Sequence, residues 1–157
     1  MTVNAKYVHT NLVARDWRRL ARFYERVFGC TPVPPERNLE GQWLDDGVGI
    51  PGARIRGIHL RLPGYGDEGP TLELFQYEPA EKRLPTAANR PGFGHVAFAV
   101  DDVEATRRAV LAAGGGELGQ VVSVEVAGAG DITFAYLTDP EGNVVEVQRW
   151  ERNADGT

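Results

Sequence analysis

Apolar and polar positions alternate along most of this chain in short strand-like runs, interrupted twice by helical spacing. The run "KYVHTNLV" predicts a first strand over residues 6–13. Asp16 can then cap a helix over 17–28, where Trp17, Leu20, Phe23 or Tyr24, and Val27 or Phe28 recur at helical intervals and Gly29 supplies a stop. Residues 30–41, "CTPVPPERNLEG", are crowded with turn formers and predict a loop. Strands are expected at 42–46 ("QWLDD"), 53–62 and 70–77. The second half predicts a strand at 93–100, then a helix near 103–113 started by Asp101 or Asp102. Glu104 stands three residues beyond Asp101, as in a capping box, and glycines 114–116 end the helix. Further strands fall near 121–126, 132–138 and 143–149.

The two halves repeat one another. One shift lays His9 on His95, Asp16 on Asp102 and Gly29 on Gly115. A second, shorter shift lays "EGPTLELFQY" on "EGNVVEVQRW", so that Glu73 meets Glu146 and Tyr77 meets Trp150. Such a repeat predicts an α+β protein of two tandem βαβββ modules. The expected organisation is a single domain over 1–157, with a first module at 6–77, a linker at 78–92, a second module at 93–150 and a tail at 151–157.

Strand alternation sorts the side chains by face. Leu72 and Leu74 flank Glu73 on the opposite face, and Val145 and Val147 flank Glu146 in the same way. Val96, Phe98 and Val100 leave His95 with Ala97 and Ala99, while Val8 and Leu12 leave His9 with Asn11. The aliphatic faces can pack on helices, which turns two histidines and two glutamates to the other side. A carboxylate there is costly unless something satisfies it. A histidine hydrogen bond to each glutamate is one answer. Together, the two imidazoles and two carboxylates are also the ligand chemistry of a divalent metal such as nickel, cobalt, zinc, iron or manganese.

Bulk properties remove other classes. A formal net charge of −5 leaves no basic patch for phosphates and argues against a nucleic-acid partner. The single cysteine, Cys30, rules out an intrachain disulfide and suits a reducing compartment. The opening residues carry no apolar signal core, and no run has the roughly 18 apolar residues of a membrane span, so no membrane partner and a cytoplasmic location are expected.

Four stretches, "HTNLVARDWRRLARFYERVFG", "TLELFQY", "GFGHVAFAVDDVEATRRAVLAAGG" and "TDPEGNVVEVQRW", resemble the vicinal oxygen chelate superfamily over about residues 6–150. That superfamily includes glyoxalase I, methylmalonyl-CoA epimerase, extradiol dioxygenases and the fosfomycin- and bleomycin-resistance proteins. The resemblance implies a cup-shaped mixed sheet around one divalent metal, commonly in a homodimer. His9, Glu73, His95 and Glu146 fall on its four ligand positions, with Glu73 or Glu146 doubling as general base. Dioxygenase and fosfomycin branches use only the positions of His9, His95 and Glu146, so Glu73 fits the glyoxalase I pattern better. Epimerases usually have glutamine at the Glu73 position. The arginine and asparagine with which glyoxalase I enzymes commonly hold glutathione are Val13 and Tyr77 in this chain.

The implied function is a metal-dependent lyase or isomerase that stabilises an enediolate of a small oxygen-chelating substrate. One alternative is a protein that sequesters a small molecule or antibiotic; another is an extradiol-type dioxygenase using ferrous iron. Further substrate-binding candidates are Asn11, His59 and Arg61, the last two sharing a strand face, and Tyr77 and Trp150, which end equivalent strands. The arginines at 18, 19, 22 and 26 read as a solvated helix face. The glycine-rich run at 45–57 lacks the ending of a phosphate loop.

Overall fold

A computed structural model describes residues 2–151 as a mixed α+β protein. It falls into two compact units, with the boundary between Arg83 and Leu84. The first unit runs β1 (His9–Val13), α1 (Trp17–Phe28), β2 (Thr31–Glu40), α2 (Gln42–Val48), β3 (Arg54–Arg61) and β4 (Thr71–Glu78). Its sheet has the order β1-β4-β3-β2, with β1 parallel to β4 and the other neighbours antiparallel. The second unit runs β5 (His95–Ala99), α3 (Val103–Ala112), β6 (Gly116–Glu117), β7 (Val122–Val126), β8 (Gly130–Thr138) and β9 (Val144–Glu151). Here β5 is parallel to β9, β9 pairs antiparallel with β8, and both β6 and β7 pair with β8. Past Glu151, the expected tail lies outside the described residues.

Each core forms where a helix covers the aliphatic face of its own sheet. Asp16 accepts from the Arg19 N–H to start α1, and Gly29 ends it in the left-handed conformation at φ 68°. The helix buries Trp17, Leu20, Ala21, Phe23 and Tyr24 and packs on β3 and β4, where Ile58, Leu60, Leu72 and Leu74 are buried. In the second unit Val103 and Val110 of α3 are buried, with Ala135, Leu137, Val145 and Val147 on the strands beneath. Full burial of one such aliphatic side chain stabilises by about 1.5–3 kcal/mol. The N-cap of α3 is Asp102, which accepts from the Ala105 N–H. Glu104 therefore sits in the first turn near the positive helix end, rather than at the third helical position that a capping box requires.

The segment between α1 and β3 differs from its sequence reading in two places. The expected loop at 30–41 is strand β2, and the expected strand at 42–46 is helix α2. Proline is disfavoured in central strands because it has no N–H to give the ladder, but β2 is an edge strand paired only with β3. Its register breaks between Val33 and Arg37, so Pro34, Pro35 and Glu36 fall in a bulge. In "QWLDDGV" the helical spacing of Leu44 and Val48 is too short a signal to outweigh local alternation. Burial of Leu44 against Ala53, Ile55 and Phe75 selects the helix, and both Asp45 carboxylate oxygens accept backbone N–H groups, from Gly52 at 2.6 Å and Ala53 at 2.9 Å. Strand β1 starts at His9, later than expected, which leaves Val8 62% exposed instead of in the core. The short β6 is too brief to show periodicity.

Two buried polar groups give tests of this architecture. Asp139, at the β8–β9 turn, accepts from the N–H groups of Glu141 and Asn143, both at 2.9 Å, and from the Asn143 side-chain amide at 2.7 Å. Asp139→Ala leaves those donors unpaired and is expected to cost about 1–3 kcal/mol. A urea midpoint unchanged from wild type would contradict this. Cys30 is 4% exposed, and burial, reinforced by Glu25, pushes its thiol from 9.0 up to about 12. The folded state favours the neutral thiol, so its contribution to stability is complete below the unfolded value and is lost as pH rises from about 9 towards 12. Native protein at pH 8 is expected to resist iodoacetamide. Between pH 9 and 11 the wild type is expected to lose stability that Cys30→Ala retains, measured as denaturation midpoints for both.

Candidate functional site

The site in the first unit follows from the register of three adjacent strands. Antiparallel pairing sets His59 of β3 opposite Glu73 of β4, and parallel pairing sets Asn11 of β1 beside Glu73 on the other side. With Leu72 and Leu74 committed to the core, Glu73 must project from the open face. There the His59 Nε2 lies 2.8 Å from Glu73 Oε2, and the His9 Nε2 lies 3.6 Å from Glu73 Oε1. The Asn11 side-chain amide donates to Glu73 Oε1 at 2.9 Å and to the Glu73 backbone carbonyl at 3.2 Å. The His9 and His59 rings meet edge to face at 5.4 Å. His59 Nδ1 lies 3.0 Å from the hydroxyl of Thr71, which is buried. One ligand-capable atom from each of His9, His59 and Glu73 lies within 4.8 Å of the other two.

Burial lowers the pKa of His59. Glu73 opposes that shift, and the charges of Arg37 and His9 add to it. A neutral imidazole suits both metal ligation and a hydrogen bond to a carboxylate. Beneath the ring, Phe75 stands edge-on at 6.3 Å. Gly57 makes room for this arrangement, because a Cβ there would come within 2.0 Å of the Leu74 carbonyl oxygen and 2.6 Å of the Phe75 ring.

The second unit repeats the pair in sparser form. His95 Nε2 lies 2.9 Å from Glu146 Oε2, and register sets Ala97 and Tyr136 on the two sides of Glu146. The Tyr136 ring packs on His95 with centroids 4.9 Å apart. Tyr136 thus occupies the place in this sheet that His59 holds in the first, as Ala97 does for Asn11 and Val144 for Thr71. Tyr136 and Thr71 were not singled out from the sequence. The signal for Tyr136 is the match of "RIRGIHLRLP" to "DITFAYLTDP", which aligns Ile55 with Ile132, Leu60 with Leu137, Pro63 with Pro140 and His59 with Tyr136.

The remaining candidates stand apart from these two groups. Arg61 shares the His59 face, but its guanidinium donates to the Gly69 carbonyl and braces the β3–β4 connection. Tyr77 packs on the apolar cluster of Leu44, Ala53, Ile55 and Phe75, and burial, with Glu73 nearby, raises its pKa. Trp150 is half-exposed, and its indole N–H donates to Gln148 Oε1 at 2.8 Å. Arg18, read as solvated, pairs with Glu36 of β2 at 2.7 Å and covers the Trp17 ring. Among the described residues, no helix is long and apolar enough to cross a membrane.

Known proteins share this fold. Residues 6–147 match the model of the Glyoxalase/Bleomycin resistance protein/Dioxygenase superfamily. The chain is 31% identical over 147 residues to a probable lactoylglutathione lyase of Vibrio parahaemolyticus, covering 92% of this chain and 90% of that one. It is 28% identical over 141 residues to a lactoylglutathione lyase of Haemophilus influenzae, covering 88% of each. Among solved structures, a glyoxalase family protein from Bacillus cereus shares the fold with a TM-score of 0.79 at 17% identity, covering 95% of this chain and 96% of that one. A mutant fosfomycin resistance protein from Listeria monocytogenes, complexed with Mn(II), shares it with a TM-score of 0.56 at 12% identity over 92% of each chain. The family match runs through both units and the relatives are covered almost end to end, so this chain belongs to the Glyoxalase/Bleomycin resistance protein/Dioxygenase superfamily.

Proposed function

We propose that this protein is a metal-dependent lyase or isomerase of the glyoxalase type, acting on a small substrate with oxygens on neighbouring carbons. The observation that carries this reading is the His–Glu pair repeated at equivalent register positions, His9 with Glu73 and His95 with Glu146. Imidazole nitrogens and carboxylate oxygens suit nickel, cobalt, zinc, iron or manganese, and these four residues are the proposed ligand set. When bound, such an ion supplies Lewis-acid stabilisation of the charge that develops on the substrate oxygens as a carbon-bound proton leaves.

The two glutamates divide the work. Glu73 is engaged by His9, His59 and Asn11, which hold its carboxylate in place and suit it to ligation. Glu146 has His95 on one oxygen and the small side chain of Ala97 beside it, which leaves it room to act on substrate. We therefore assign Glu146 as the general base that takes the proton from one carbon and returns it to the next. Substrate and product are isomers, so no co-reactant is consumed.

Relatives named lactoylglutathione lyase point to the hemithioacetal of a 2-oxoaldehyde as the first substrate class to test. Val13 and Tyr77 offer no charged or amide group for the glutathione carboxylate, so thiol carriers other than glutathione belong in the same screen.

With the metal found in protein purified without chelator, thioester formation from such adducts is expected. Glu146→Gln is expected to lower kcat by about 10²–10⁴-fold with an unchanged far-ultraviolet circular dichroism spectrum. Full activity of Glu146→Gln would reject the assigned base. Protein that is isolated metal-free and also refuses added nickel, cobalt, zinc, manganese and iron would reject the mechanism and favour ligand sequestration.

A further inference from the structure

The two His–Glu pairs are equivalent in register but not in what surrounds them. In the first unit a second imidazole, His59, stands across the strand pair from Glu73; in the second unit that position is Tyr136. The first unit also orients its groups, through Asn11 on the carboxylate and Thr71 on the far ring nitrogen of His59. Their counterparts, Ala97 and Val144, can do neither.

We infer that His59 is a further metal ligand, and that His9, His59 and Glu73 together hold a divalent transition-metal ion even when His95 and Glu146 are removed. This rests on the metal dependence proposed above. Ligand atoms at about 2.0–2.2 Å from such an ion lie roughly 3–4 Å from one another. The contacts of 2.8 and 3.6 Å around Glu73, within a triad confined to 4.8 Å, need only small side-chain movements to reach that spacing. Two imidazoles and one carboxylate leave further coordination positions open.

The environment of His59 is that of a ligand ready to bind. Its Nδ1 is engaged by a buried hydroxyl, which leaves Nε2 facing Glu73 and the triad centre. Without an ion, Nε2–H donates to Glu73 and the Thr71 hydroxyl donates to Nδ1. With Nε2 giving its lone pair to an ion, the proton sits on Nδ1 and the same hydroxyl accepts it. A hydroxyl serves both tautomers, whereas a backbone N–H or a carbonyl at that position would serve one.

The test uses the full chain. Metal-free wild type, a His95→Ala, Glu146→Gln variant and the same variant with His59→Gln are titrated with cobalt(II) and followed by visible absorption and bound-metal analysis. The expected result is one cobalt per chain retained by the double variant, more weakly than by wild type, and a further rise in Kd of about 100-fold or more when His59→Gln is added. Cobalt bound by the wild type but lost from the double variant would overturn the inference and leave the proposed function standing. Failure of the wild type to bind would remove both.

A second measurement does not depend on the variants of the second unit. Cobalt-loaded wild type is expected to show a paramagnetically shifted, slowly exchanging proton signal from the His59 Nδ1–H, absent in His59→Gln. The same set of shifted signals in both proteins would overturn the assignment of His59 as a ligand.

Discussion

In β4 and again in β9 a carboxylate stands between two aliphatic side chains that are almost wholly removed from water. Strand geometry allows no compromise there, because burying Leu72 and Leu74, or Val145 and Val147, turns the residue between them to the other face. A half-buried carboxylate needs donors or cations to replace lost water, and the histidines at the start of β1 and β5 answer that need. The helices α1 and α3 are tied to the same constraint, since they cover the faces that fix the direction of Glu73 and Glu146. A register slip of one residue would bury both glutamates and expose the core.

Duplication gave two copies of this arrangement, and the copies have diverged in chemistry more than in backbone. One surrounds its glutamate with an amide, two imidazoles and a buried hydroxyl beyond them. The other has alanine, tyrosine and valine at the matching places. The tightly held carboxylate suits coordination, which rewards a fixed geometry. The less constrained one suits proton transfer, which requires a group able to engage two carbons in turn. A single repeated pattern thereby supplies two different surroundings for a carboxylate.

Much of this was legible from the chain because it depends on period and spacing. The α1 boundaries, the cap at Asp16 and the stop at Gly29 follow from local sequence, as do the opposed faces of β4 and β9. The exchange of β2 and α2 was not legible, because proline tolerance depends on whether a strand lies at an edge, and edge position is a property of the assembled sheet. Likewise the partnership of His59 with Glu73 is a matter of strand register, not of sequence distance. Arg61 and Tyr77 show the converse. Both share the open face with Glu73, yet a turn carbonyl claims one and an apolar cluster the other.

The proline-rich edge of the first sheet has a consequence for self-association. An outer strand with free amides is a template on which another chain can extend the sheet. In β2, prolines 32, 34 and 35 have no N–H to offer, and the broken register at Val33–Arg37 bends the strand away from a straight ladder. The rim nearest His59 is thereby a poor template for sheet extension by another chain.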